Sequence, residues 1–278
     1  MRIKAYAKIN VGLDVIGKRS DDYHDLMMVM LPIGLYDLID IKVSDNSNFI
    51  VRPNYKIRPE KNTILKMIEI CREEFHFTEQ FFIHLTKHIP SQAGLGGGSS
   101  DAAAVLNFLD EYFRWDLSDN QKIELAIKAG SDVPFCLFKL PAIVSKTGDE
   151  IVFFNQDLPF HILLVQAHKG VSTPKAFGLL KLEGMVHPNI ESIKEALETN
   201  NYPKFIESVG NVLEVPAIQM VPEIKVIKDR LLDLGLDQAV MTGSGSVVMG
   251  FSQNEECIDQ AILALKGQYR FLVKTKVL

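Results

Sequence analysis

Tryptophan occurs once and cysteine three times in the 278 residues of this chain. Cys71, Cys136 and Cys257 are scattered and odd in number, with no CxxC pair. Neither a disulfide framework nor a cysteine zinc site is expected from them. The thiols read as small apolar residues of a protein kept in a reducing, cytoplasmic compartment. The seven histidines are dispersed, which argues against zinc, and no carboxylate cluster has metal-ligand spacing. No run of about 18 apolar residues is present, so no membrane span is expected. The opening MRIKAYAKIN carries charge but no apolar core, so no secretory signal is expected either. An excess of positive charge is also missing. The formal net charge of -5 argues against a nucleic-acid partner, while leaving room for a local basic pocket that takes a phosphorylated small molecule. There is no fixed-period repeat and no low-complexity tract.

What is present is ordinary globular material, 47% hydrophobic and 23% charged, with length for one large domain or two smaller ones. Short strand-like runs (FFIHLTK, FHILLVQA, SVVMGF) alternate with amphipathic helices. Ile64, Leu65, Ile68, Cys71 and Phe75 recur at helical spacing behind Asn62, a candidate N-cap. Ser118 and Gln121 form a capping-box pattern, and Gly130 ends that helix. Two more helices, from Pro222 to Leu234 and from Asn254 to Lys266, enclose a strand pair around Val240 to Phe251. Strands grouped with helices, and few regular βαβ units, predict an α+β fold. The segment GDEIVFFNQDLPF is the expected seam between two halves, 1–154 and 155–278.

The densest chemical signal is PSQAGLGGGSSDAAA, residues 90–104. Four of its residues, Gly94, Gly96, Gly97 and Gly98, fall within five positions, and Ser99 and Ser100 follow. A strand with Ile83 and Leu85 leads in, and a helix from Ser99 to Phe113 leads out. Strand, glycine loop and helix N-terminus together favour phosphate, because free backbone N–H groups and the positive end of the helix dipole meet the anion. The loop is not a Walker A loop, since no lysine follows the glycines, and Ser99 breaks the dinucleotide fingerprint. A tight turn, or close packing of helix on sheet, is the structural alternative.

This stretch resembles the ATP-binding motif of the GHMP kinase superfamily. AYAKINVGLDVIGKRSDDYH (5–24) resembles its N-terminal motif, and MTGSGSVVMGF (241–251) its C-terminal glycine motif, in the same order along the chain. AKIN, YH and GLGGGSSDAA together are most similar to the branch that phosphorylates 4-diphosphocytidyl-2-C-methyl-D-erythritol in non-mevalonate isoprenoid synthesis. The resemblance implies two domains, an N-terminal ribosomal-protein-S5-like one and a C-terminal ferredoxin-like α/β sandwich. It implies ATP as co-substrate with Mg²⁺, a cytidine diphosphate small molecule as partner, and a monomer or homodimer.

Taken alone, Lys8 reads as a solvated edge-strand lysine at the end of a strand, and Asp132 as an Asx turn ahead of an apolar strand. The resemblance makes them the Lys–Asp pair at the acceptor hydroxyl. Asp132 would accept the hydroxyl proton, and Lys8 would favour the developing negative charge. It assigns Pro90, Ser91, Gln92, Ala93, Gly94, Leu95, Gly96, Gly97, Gly98, Ser99 and Ser100 to the ATP phosphates, with Ser100 as a possible Mg²⁺ contact. Asn62 and Lys87 fall at the adenosine end of the nucleotide. Tyr23 and His24 would hold cytosine, with Phe177 as a second aromatic and Asn10 on the acceptor. Thr242, Gly243, Ser244 and Gly245 would close over the acceptor's phosphates, or form a plain hairpin loop. Lys18, Arg19, Lys169 and Lys175 would draw in an acidic substrate, or stand as solvated surface. Asp22, Gln92 and the stretch with Lys146 and Gly148 depart from the family pattern. Another acceptor (mevalonate-type or homoserine) and a non-catalytic nucleotide sensor are the alternative functions.

Overall fold

The computed structural model describes residues 1–19, 24–52, 62–181 and 183–278. The expectations for Asp22 and Tyr23 lie outside these residues. In chain order the elements are β1 (Arg2–Lys18), β2 (His24–Ser44), β3 (Asn48–Arg52), α1 (Thr63–Phe75), β4 (Gln80–Thr86), α2 (Gly97–Phe113), α3 (Asp119–Ala129) and α4 (Val133–Phe138). There follow β5 (Ala142–Lys146), β6 (Glu150–Phe153), β7 (His161–Gln166), α5 (Thr173–Gly178), α6 (Ile190–Glu198), α7 (Tyr202–Ser208), β8 (Gly210–Asn211) and α8 (Glu214–Met220). The chain closes with α9 (Glu223–Asp233), β9 (Gln238–Met241), β10 (Val247–Ser252), α10 (Glu255–Leu265) and β11 (Leu272–Thr275). The fold is α+β. Among the described residues no helix is long and apolar enough to cross a membrane.

Packing groups the chain into two compact units. The first comprises Met1–Lys8, Leu35–Pro90 and Gly96–Lys139; the second comprises Ile9–Gly34, Ser91–Leu95 and Leu140–Leu278. The units are interleaved along the chain, whereas a boundary at residue 154 is a linear division.

In the first unit β4 pairs antiparallel with the later part of β2, Leu38 facing Thr86, and β3 adds on in parallel. Helix α1 packs on α2 and α3, and α2 on α4. Phe75, Phe77, Phe113 and Trp115 stack between these elements, with Phe75 and Trp115 centroids 3.9 Å apart. Phe77 is buried and the other three rings are half-buried; full burial of such a side chain contributes roughly 1.5–3 kcal/mol. The local signals act as the sequence predicts. Asn62 caps α1 by accepting from Ile64 N and Leu65 N, and Ser118 and Gln121 close a complete capping box on α3.

The second unit holds a four-stranded antiparallel sheet in the order β11-β7-β10-β9. All six residues of β10 are buried, and α9 and α10 pack against this sheet. The β5–β6 hairpin pairs with the early part of β2, and β8 runs parallel to β1 with Gly12 facing Gly210.

Two local expectations are corrected. The run after Asp132 is the helix α4 rather than a strand. Val133 to Leu137 are all buried, so no alternation separates helix from strand, and Pro134 in the first turn presets a helical φ. Strand β1 runs for 17 residues, which places Lys8 in its interior and not at its end. Ala5, Ala7, Ile9, Val11, Leu13 and Val15 form one buried apolar row of β1. The intervening positions carry Lys8, Asn10 and Asp14 on the other face, and these are buried as well.

Candidate active site

A lysine buried in mid-strand needs a partner. Lys8 is only 3% exposed, and its Nζ lies 3.1 Å from Asp132 Oδ2 within the first unit. Asp132 sits at the N-cap position of α4, yet its side chain makes no capping hydrogen bond. The carboxylate is therefore not consumed by an Asx turn, and it is 34% exposed beside a buried ammonium. Chain positions 124 apart are thus brought into one ion pair, and this pair presents a carboxylate to solvent.

The glycine segment leads into α2. Gly96 is its N-cap with φ +66°, and α2 has neither a side-chain cap nor an acidic residue in its first turn. The N–H groups at the start of an uncapped helix lack intrahelical acceptors and point outward, which is the donor set an anion requires. The absent β-carbons also have a use inside the protein. A Cβ on Gly96 would stand 2.9 Å from Lys8 Cγ, one on Gly97 2.8 Å from Ile89 Cγ2, and one on Gly98 3.2 Å from Thr63 Oγ1. On Gly94, at φ +77°, it would overlap the Thr242 carbonyl oxygen. Phosphate contact and close internal packing both call for glycine here. Ala93 and Leu95 bury their side chains, so only their backbones are available to a ligand. Gln92 has φ +52° and its carbonyl accepts from Ser246 N; the Ser91 carbonyl accepts from Gln166. Pro90 is half-buried, and Ser99 is partly exposed in the first turn of α2. The Ser100 hydroxyl turns back to donate to Gly96 O at 3.0 Å and also lies 3.5 Å from the Cys136 sulfur.

Lys87 takes part in a buried ion cluster. Its Nζ pairs with Asp37 and, at 2.8 Å, with Asp101. Asp37 also accepts the backbone N–H groups of His88 and Ile89. Nζ would be 3.3 Å from a Cβ on Gly97, so the cluster underlies the start of α2. Burial lowers the Lys87 pKa, but Asp101 and Asp37 outweigh it and leave it raised. Burial lifts Asp101 to about 7, with Lys87 pulling it back and Asp37 pushing it further up. Asp37 had no signal in the sequence; Asp101 stood in the glycine motif as an acid behind two serines. The Asn62 carboxamide oxygen is spent on the α1 cap.

The second unit gathers the remaining candidates. Asn10 is fully buried; its N–H donates to Thr242 Oγ1 at 2.9 Å and its Nδ2 to Met28 Sδ at 3.3 Å. Thr242 Oγ1 donates in turn to Gly94 O at 3.4 Å. Thr242, Gly243, Ser244 and Gly245 connect β9 to β10, so they form a hairpin turn, but one pressed against Gly94. Ser244 Oγ shares a hydrogen bond of 2.7 Å with Thr173 Oγ1. His24 and Phe177 stack, ring centroids 5.1 Å apart at 28°. Arg19 pairs with Asp25, and Lys146 with Glu150 in the β5–β6 turn that contains Gly148. Asn211 and Glu214, unmarked by any sequence signal, bind the backbone of Met241 and Gly243.

The arrangement suits phosphoryl transfer to an alcohol: an uncapped helix N-terminus beside a paired lysine and carboxylate. Comparison with known proteins agrees. The models for the GHMP kinases N terminal domain and the GHMP kinases C terminal match residues 62–139 and 182–270. The 4-diphosphocytidyl-2-C-methyl-D-erythritol kinase of Lachnoclostridium phytofermentans is 38% identical, covering 98% of this chain and 96% of its own. The crystal structure of a 4-(cytidine 5'-diphospho)-2C-methyl-D-erythritol kinase superposes with TM-score 0.82 at 30% identity, over 99% of both chains. A homoserine kinase from Cytophaga hutchinsonii, at TM-score 0.73 and 16% identity over 99% of this chain and 96% of its own, shares the fold. The chain is a small-molecule kinase that belongs to the GHMP kinases and, within them, to the 4-diphosphocytidyl-2-C-methyl-D-erythritol kinase family.

Proposed function

We propose that this kinase transfers the γ-phosphoryl group of ATP to the 2-hydroxyl of 4-diphosphocytidyl-2-C-methyl-D-erythritol. The products are the 2-phosphate and ADP, in non-mevalonate isoprenoid precursor synthesis in the cytoplasm, by a monomer or homodimer. The linear division into domains 1–154 and 155–278 belongs to the same proposal, and the two family models fall on either side of that boundary.

The observation that carries it is the Lys8–Asp132 pair. The acceptor hydroxyl gives its proton to the Asp132 carboxylate as its oxygen bonds to the γ-phosphorus and the bond to the ADP oxygen breaks. Lys8, already desolvated, needs no reorganisation to offset the charge on the transferring group. The amides of Gly97, Gly98 and Ser99 hold the ATP phosphates, with residues 90–96 and Ser100 shaping the loop. Lys87 and Asn62 stand toward the adenosine. Cytosine is taken by Tyr23, His24 and Phe177, the acceptor by Asn10, and its diphosphate by Thr242, Gly243, Ser244 and Gly245. Mg²⁺ favours oxygen ligands and keeps several waters, so it fits phosphate oxygens with at most the Ser100 oxygen added. It would supply charge neutralisation on the phosphates. The His24 and Phe177 rings stack on each other, and the outer face of the pair supports a base-bearing acceptor, since a flat π-face suits another.

The test is ADP release from Mg·ATP with the cytidine diphosphate substrate, mevalonate, phosphomevalonate, homoserine and no acceptor. Turnover confined to the cytidine compound is expected, with kcat of Asp132→Asn lower by about 100-fold or more at nearly unchanged KM for ATP. Turnover with a different acceptor, or with none, would overturn the assignment.

A further inference from the structure

Strand β9 is the last strand of its sheet, so its outer edge would ordinarily offer unpaired backbone groups. Here side chains of β8 and of the first turn of α8 take them. Asn211 Nδ2 donates to Met241 O at 2.7 Å and to Gly243 O at 2.8 Å, while its Oδ1 accepts from Leu213 N at 2.9 Å. Both amide hydrogens and the carbonyl oxygen are thereby used, on a residue 8% exposed. Glu214 Oε1 accepts from Met241 N at 2.6 Å, and Lys228 holds the other Glu214 oxygen at 2.5 Å. The turn from Thr242 to Gly245 is thus gripped on one side by Asn211 and Glu214. On the other side Asn10 and Gly94 hold it through the Thr242 hydroxyl.

The bond to Gly243 O has a geometric consequence. A trans peptide is planar, with its C=O and the following N–H antiparallel. Tying the Gly243 oxygen to Asn211 therefore turns the Ser244 N–H away from Asn211. We propose that Asn211 is a positioning residue of the acceptor site: its side-chain amide sets the plane of the Gly243–Ser244 peptide and so aims the Ser244 N–H at the acceptor's diphosphate. Asn211 does not itself touch the ligand. Asparagine is the side chain required, because an aspartate would set a carboxylate against two carbonyl oxygens, and an alanine would leave both uncapped. This inference rests on the reading of the glycine turn as the acceptor's phosphate site.

The experiment compares wild type, Asn211→Asp and the milder Asn211→Ala. It measures KM for ATP and for the cytidine diphosphate substrate, kcat, the melting temperature, and hydrogen exchange of the amides of residues 243–245 without ligand. The expected result is a rise of about tenfold in acceptor KM, with KM for ATP nearly unchanged and exchange at 243–245 accelerated in both variants. A purely structural role would lower the melting temperature while both KM values moved together, and that result would overturn the proposal. Unchanged exchange at 243–245 would overturn it as well. If the wild-type enzyme does not turn over this acceptor, the functional reading fails separately. The exchange measurement then decides alone whether Asn211 holds the turn.

Discussion

Lys87, Asp37 and Asp101 place one ammonium and two carboxylates in a nearly dry space beneath the start of α2. Two acids sharing one base leave a surplus negative charge, and Asp101 Oδ1 makes no hydrogen bond. Burial first, and the Asp37 carboxylate in addition, raise the Asp101 pKa to about 7 against the pull of Lys87, from an ordinary value of 3.8. A carboxyl whose pKa is raised on folding binds more protons in the folded state. Its contribution to stability is complete below the unfolded pKa and is lost as pH climbs through the folded one. The window runs from about pH 4 to just above pH 7. Asp101→Asn removes the titration and leaves Lys87 with Asp37. Urea unfolding at pH 5 and pH 8 should therefore show the variant gaining on wild type as pH rises. An equal difference at both values would mean that Lys87 keeps Asp101 ionised throughout.

At the scale of elements, the glycine segment and the caps carry very different loads. Ser118 closes a capping box at an exposed helix end: Gln121 N donates to its hydroxyl, and Ser118 N donates to Gln121 Oε1. Ser118→Ala should cost about 1 kcal/mol in chemical denaturation and leave the kinetics alone. Gly94 bears more, because it joins the loop before α2 to the turn between β9 and β10. A side chain there meets both a left-handed φ and the Thr242 carbonyl. Gly94→Ala should cost about 2 kcal/mol or more, with loss of activity. A penalty no larger than that of Ser118→Ala would show that the contact with Thr242 relaxes easily. The cap was legible because its pattern spans four residues. The Gly94 contact was not, since its partner lies 148 positions on.

For the whole molecule, binding and stability are linked. A ligand that binds only the folded chain stabilises it according to its saturation, by about 2.7 kcal/mol at a hundred times its Kd. A non-hydrolysable ATP analogue with Mg²⁺ should raise the unfolding midpoint accordingly. Gly96→Val should abolish that gain, because its side chain would run into Lys8 at a positive φ. A full nucleotide-dependent gain in Gly96→Val would remove the ATP phosphates from this loop. The net charge of -5 sits with acidic substrates only because the cations that matter are local: Lys8 is buried and Lys87 half-buried beside the loop.

By itself the sequence determined the α+β character, the capped helices, the glycine loop with its uncapped helix and the family. These depend on short-range regularities, period 2 in strands and 3.6 in helices, or on motifs that stand contiguous in the chain. It pointed to a strand for the VPFCLF run, which is helical, because a fully buried segment shows no periodicity to separate the two. Beyond the Lys8–Asp132 pair, which the family resemblance implied, only the tertiary structure decided which charges meet. Lys8 finds Asp132 because the polar row of β1 is buried, where an ammonium without a partner is unaffordable. Asp37, Asp101 and Asn211 belong to the same class: their roles arise from groups far away in the chain, whose proximity is a product of packing and leaves no local trace.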